Sequence, residues 1–262
     1  MIHNSLKNTF FFLLLTISFF FYGCQDTDSH KEIQKEQDTL FQYSVLSSLL
    51  QGVYDGNMSC GELKEHGDFG LGTFNAIDGE MVVYENKVYR VSSDGVARIV
   101  SDEDKIPFAA VTFFEADKTI SLTQTLDCTE LKTYIDQLLP TKNIGYAIKI
   151  KGQFEYIKTR SVPKQNKPYP VLVDVLKTQP TFEFYEQKGT IIGFRLPSFM
   201  SPANAAGYHF HFLTEDKNAG GHLLECKIED VIIELDYTDK WHIELPSDSE
   251  YYNINITDES YQ

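Results

Sequence analysis

Apolar and polar residues alternate in short runs along most of this chain, and turn residues separate the runs. A period of two marks strands with one buried face. Met81 to Tyr84 and Val88 to Ser92 flank Glu85-Asn86-Lys87 and predict a hairpin, and Asp94-Gly95 turns the chain into Val96 to Val100. Ala109 to Glu115 reads as a buried strand. Tyr146 to Lys151 and Phe154 to Ser161, on either side of Lys151-Gly152-Gln153, predict a second hairpin. Further strands are expected at Phe182 to Tyr185, Ile191 to Leu196, Tyr208 to Leu213, His222 to Asp236 and Trp241 to Leu245. Helical spacing shows in Tyr43, Leu46, Leu49, Leu50 and Val53, and again in Leu131, Tyr134, Ile135 and Leu138, stopped by Pro140. A third helix is expected at Val171 to Lys177. No internal repeat is visible. The pattern predicts a mixed α+β or α/β fold built on antiparallel hairpins.

The first residues follow a different rule. Phe10 to Phe21 is almost wholly apolar, with Lys7 before it and Tyr22-Gly23-Cys24 after it. A basic start, a short apolar run and a small residue before a cysteine form an export signal. The run is too short to span a bilayer, which takes about 20 residues. Gly23-Cys24 resembles a bacterial lipoprotein processing site, although Phe21-Tyr22 is bulkier than usual there. The expectation is a signal over residues 1–23, then a protein anchored through lipidated Cys24 in the periplasm or at the cell surface. A simply cleaved signal is the alternative. Residues 24–38 are polar, with Ile33 their one aliphatic residue, and read as a flexible tether. Residues 39–262 are then left for the folded domain.

A formal charge of −15 argues against nucleic-acid binding, which needs a basic stripe. Beyond Cys24, the cysteines are Cys60, Cys128 and Cys226, far apart and without a Cys-x-x-Cys pair. A cysteine-based zinc knuckle is therefore not expected, and at most one internal disulfide can form among the three.

Three of the seven histidines fall within fourteen residues, at His209, His211 and His222. Strand alternation puts His209 and His211 on one face and Phe210 and Phe212 on the other. Thr214 to Gly221 is polar, ends in two glycines and reads as a hairpin loop that brings His222 beside the pair. Three neutral imidazoles converging from adjacent strands suit a transition metal, zinc above others, with a coordination position left open. Three exposed or separately hydrogen-bonded histidines are the bland alternative.

Several blocks now resemble one family. They are Gly193-Phe194-Arg195-Leu196-Pro197, the run from Asn204 to Leu213, and Ala219-Gly220-Gly221-His222. With them go the run from His66 to Asn75, Asp78-Gly79-Glu80, and the run from Tyr156 to Pro163. In order and spacing these are similar to acetolactate decarboxylases, from about residue 40 to about residue 250. The resemblance implies conversion of 2-acetolactate to acetoin and carbon dioxide, with zinc held by three histidines. It implies a two-part α/β protein with a β-sheet in each part, a few flanking helices, and the site between them. By motif, the zinc ligands fall on His209, His211 and His222. A family glutamate falls on Glu80, a family arginine on Arg160 and a family threonine on Thr73.

Loss of carbon dioxide from a 3-oxo acid leaves an electron pair on the neighbouring carbonyl as an enediolate, which a metal stabilises as a Lewis acid. Arg160 would orient the substrate carboxylate, Glu80 would either donate a proton to the enediolate or support a group that touches the metal, and Thr73 would hydrogen-bond the substrate. Read without the resemblance, these three are a solvated arginine, a turn glutamate and a strand threonine. His66 is a weaker candidate for the site, and His242 a structural one. Relatives usually continue past the last strand and supply another site glutamate. Here Glu250 and Glu259 are the nearby acids, and neither matches a motif. Other classes stay open: another three-histidine zinc lyase or hydrolase, or a non-enzymatic surface lipoprotein that binds small oxo-acids or metal. A homodimer is a further expectation for partners.

Overall fold

The computed structural model describes Met1 and residues 36–256. Apart from Met1, the expected export signal, Cys24 and the tether up to residue 35 lie outside the described residues. The described residues 36–256 form one unit, built on two principal β-sheets.

Along the chain, β1 (Thr39–Tyr43) and α1 (Leu46–Leu50) precede β2 (Met58–Ser59), α2 (Cys60–Lys64) and β3 (Phe69–Thr73). Then come β4 (Glu80–Tyr84), β5 (Lys87–Val91), β6 (Ala97–Ile99), β7 (Lys105–Ile106) and β8 (Phe108–Thr112). Next are β9 (Lys118–Leu122), β10 (Leu126–Asp127), α3 (Cys128–Leu138) and the long β11 (Gly145–Arg160). The series closes with α4 (Leu172–Val175), β12 (Thr181–Leu196), β13 (Gly207–Thr214), β14 (Gly220–Thr238), β15 (Lys240–Glu244) and α5 (Ser249–Asn253).

The first sheet runs β15-β1-β8-β3-β4-β5-β6, antiparallel except where β1 lies beside β15. The second runs β10-β14-β11-β12-β13, with β9 also on β14. The start of β14 pairs again with β13, so this sheet curls back on itself at that end. One apolar layer fills the curl, where Phe154, Ile191, Phe212 and Ile233 pack with Leu131 and Ile135 of α3. Another lies between the sheets and joins Val82, Tyr89 and Ala110 to Ile192, Phe194 and Leu213. The mixed α+β expectation is borne out.

Local chemistry explains the elements. The turn of the β4–β5 hairpin places Glu85 and Asn86 at φ 53° and 58°, the two positive values of a type I′ turn. At α3, the Asp127 carboxylate accepts from the amides of Thr129 and Glu130, and Glu130 accepts from the Asp127 amide. Such reciprocal capping is worth about 1 kcal/mol. A disulfide joins Cys128, the first residue of α3, to Cys226 of β14, while Cys60 is free and buried.

The structure departs from expectation in three places. Thr39 to Tyr43 is a strand, and the first helix is only the single turn of α1. β1 is buried along its whole length, so no alternation betrays it, and the leucine spacing of α1 runs on backwards into it. Lys151-Gly152-Gln153 is no turn, because β11 continues straight through it. A Cβ on Gly152 would lie 2.1 Å from the Asp230 carbonyl oxygen, so glycine there serves close strand approach. In the same way the runs Phe182 to Tyr185 and Ile191 to Leu196 are two parts of one strand, β12.

Candidate metal centre and active site

The three histidines meet because one strand pairing brings them together, and a second adds Arg160. His211 lies opposite His222 across β13 and β14, and His222 lies opposite Arg160 across β14 and β11. Residues directly opposite share a face, and so do His209 and His211, two apart on β13. All four side chains therefore leave the same face of the second sheet, toward the first sheet. Gly221 makes the close crossing workable: its φ is 131°, and a Cβ there would lie 2.5 Å from the Arg160 carbonyl oxygen. The loop from Thr214 to Gly221 is the expected hairpin connection, tied by the Thr214 hydroxyl to Asp216 and Ala219.

One ligand nitrogen from each of His209, His211 and His222 lies within 4.8 Å of the others. The Nδ1–H of His211 donates to the Met81 carbonyl at 2.7 Å, which fixes the tautomer and leaves Nε2 with its lone pair. That Nε2 lies 3.3 Å from Nδ1 of His222. Nδ1 of His209 is buried without a partner. Burial, then the Arg160 charge, lowers the His209 pKa to about 4. Burial, then His209, holds His211 and His222 well below the ordinary value. Three neutral imidazoles with convergent nitrogens and one orphaned buried atom fit a bound metal ion.

Glu80 opens β4 and faces the cluster from the opposite sheet, its Oε2 3.5 Å from Nε2 of His211. It is buried, and burial raises its pKa to about 7 against the opposing pull of Arg160. Thr73 lies opposite Glu80 across β3 and β4 and donates its hydroxyl hydrogen to the Gly79 carbonyl at 2.8 Å. It thus closes the turn that delivers Glu80. Arg160 donates from Nη1 to the side-chain oxygen of Gln179, while its Nε is buried without a partner.

These groups line one cavity of about 360 Å³. Its floor is polar, with the three histidines, Glu80, Arg160 and Thr73. Its walls are apolar, with Leu46, Leu49 and Leu50 from α1 and Leu172 and Leu176 from the α4 segment. The structure thus brings His209, His211, His222, Glu80, Arg160 and Thr73 to a single place between the sheets. A model of the alpha-acetolactate decarboxylase family matches residues 40–258.

The chain belongs to the alpha-acetolactate decarboxylase family. It is 44% identical over 219 residues to the alpha-acetolactate decarboxylase of Methanosarcina mazei, spanning 84% of this chain and 76% of that protein. Against the Bacillus subtilis alpha-acetolactate decarboxylase the identity is 38% over 225 residues, 85% of this chain and 88% of the other. The crystal structure of the Bacillus subtilis strain 168 protein gives a TM-score of 0.84 at 37% identity, covering 85% of this chain and 95% of that one. The expected family and carboxy-lyase class are borne out.

Other residues of this decarboxylase fall elsewhere. His66 stacks on Phe41 with ring centroids 3.8 Å apart, and His242 meets Phe41 edge-on, so neither lines the cavity. Glu250 sits in α5 as a partner of Lys167 and also lies off the cavity. Glu259 lies outside the described residues. Gln179 and the leucine walls carried no readable signal: the leucines read as ordinary core, and Gln179 follows α4 without a motif.

Proposed function

We propose that this chain decarboxylates 2-acetolactate to acetoin and carbon dioxide with a zinc ion held by His209, His211 and His222. The observation that carries the reading is the convergence of three neutral imidazoles beneath Arg160 and Glu80 in one cavity of a family member. Zinc suits an all-imidazole donor set, and three neutral ligands leave the ion its full charge. When bound, the ion supplies Lewis acidity toward the oxygens on which charge develops.

The protein's own groups do the rest. The Arg160 guanidinium takes the substrate carboxylate, using the Nε–H that has no other partner. The bond from this carboxylate to the carbon bearing the hydroxyl then breaks, and its electron pair moves toward the neighbouring carbonyl. Glu80 delivers a proton to the carbon that lost carbon dioxide. The leucine walls keep bulk water from that step. Thr73 acts through its hydrogen bond to Gly79 and steadies the turn before Glu80.

Acetoin formation by the purified chain, with zinc quantified in the same sample, tests the whole reading. His209→Ala and His222→Ala should abolish both. Full turnover in a metal-free preparation overturns the mechanism, and tight oxo-acid binding without acetoin would point to the non-enzymatic alternative.

Export through the signal at residues 1–23 is part of the proposal. It is supported by the Cys128–Cys226 bond, since disulfides persist in oxidising compartments. Labelling with a fatty acid should be lost in Cys24→Ser; labelling that survives this change removes the lipid anchor. A homodimer is kept as a proposal, and sedimentation of the lipid-free chain as a monomer removes it.

A further inference from the structure

Among the described residues, Arg160 is the one arginine that lines the cavity. A long arginine side chain reaches a defined geometry only when something holds it. The backbone of Arg160 is set by β11, at whose end it pairs with Thr181 on one side and His222 on the other. The guanidinium is held separately, by the hydrogen bond from Nη1 to the Gln179 side-chain oxygen. Gln179 itself is half-buried and follows directly on the segment from Leu172 to Thr178, two of whose leucines wall the cavity.

We propose that Gln179 is a positioning residue for substrate, which orients Arg160 so that its unpartnered Nε–H meets the substrate carboxylate. This rests on the reading of Arg160 as the carboxylate holder. The chemistry of the anchor matters as much as its place. A glutamine oxygen accepts one hydrogen bond and leaves the guanidinium its full charge for an anionic ligand. A glutamate there would accept the same bond, neutralise that charge and repel the incoming carboxylate. The anchor also follows directly on a segment of the apolar wall, so a substrate that presses on Leu172 and Leu176 bears on the segment that leads to it.

The test uses zinc-loaded full chain and two readouts. One is the split of KM against kcat with 2-acetolactate. The other is the Kd of 2-hydroxyisobutyrate, which keeps the hydroxyl and carboxylate but has no 3-oxo group and cannot react. Gln179→Met, which keeps length and removes the acceptor, should raise KM and Kd roughly tenfold, with kcat changed by less than about threefold and zinc content unchanged. Gln179→Glu, which keeps the acceptor and so guards against a simple folding defect, should raise both by at least as much. In an Arg160→Ala background the Gln179 change should add nothing. Unchanged KM and Kd in either Gln179 variant overturn the proposal. If Arg160→Ala itself leaves Kd unaltered, the reading of Arg160 has failed; if only the Gln179 variants leave it unaltered, that reading stands and this inference alone falls.

Discussion

Two buried nitrogens in the cavity region lack a protein partner, Nδ1 of His209 and Nε of Arg160. Leaving such groups unpaired costs roughly 1–3 kcal/mol each, more when charged, so their persistence side by side marks a place built for ligands. For Arg160 the expected consequence is specific. Arg160→Ala should lower kcat/KM about a hundredfold or more, the worth of a charge-assisted pair, while zinc content stays at the wild-type level. Expulsion of zinc by that change would instead make Arg160 part of the metal grip. The histidines were legible in the sequence because strand alternation and a glycine-ended loop leave few other arrangements. Thr73 was legible as a site residue but not in its role, since only the fold shows its hydroxyl turned to Gly79. Gln179 was not legible at all, because its partner lies on another strand and no local pattern announces a side-chain acceptor.

At the scale of elements, hairpins with a dedicated turn sequence and the long β14 could be read, whereas β11 and β12 were each read as two strands. Glu85-Asn86 closes a true two-residue turn, whereas Gly152 imitates a turn residue inside a strand that needs glycine for another reason. The same limit applies to β1, whose complete burial erases alternation. α3 was foreseen from its apolar stripe and Pro140, but its covalent tie could not be chosen among three cysteines. That tie closes a loop with a sequence separation of 98 residues. Loop-closure entropy for such a span sets an upper stabilisation of roughly 4–5 kcal/mol, with about 2–4 typical in practice. Cys226→Ser should therefore lower the melting temperature by several degrees under non-reducing conditions. A wild-type melting curve that does not move on reduction would show the bond to be dispensable.

For the whole molecule, the acidic balance becomes local near the join of the two sheets. Asp236 is buried, accepts from the Glu115 amide at 3.2 Å, and has Asp117, Asp38 and Glu115 near enough to act on its charge. Burial, reinforced by these like charges, raises its pKa to about 7. The protonated form thus contributes stability that is fully present below the unfolded carboxylate pKa, near 4, and is lost as pH rises toward 7. Asp236→Asn keeps an acceptor for Glu115 and should melt higher than wild type at pH 8, with the two converging at pH 4. An Asn variant that is less stable at pH 8 would mean that the charge itself is needed there. The separation of the molecule into two sheets with the site between them was legible through motif resemblance rather than periodicity, since no local pattern reports which strands face each other.

The grip on the ion and the apparatus for chemistry have different origins in the chain. All three imidazoles come from one connected pair of neighbouring strands, within fourteen residues of sequence. The acid arrives from the opposite sheet and the guanidinium from the end of β11. A descendant that mislaid Glu80 or let the sheets part could go on sequestering metal with nothing left to turn over, and a purification that scores only bound zinc would not tell the two proteins apart.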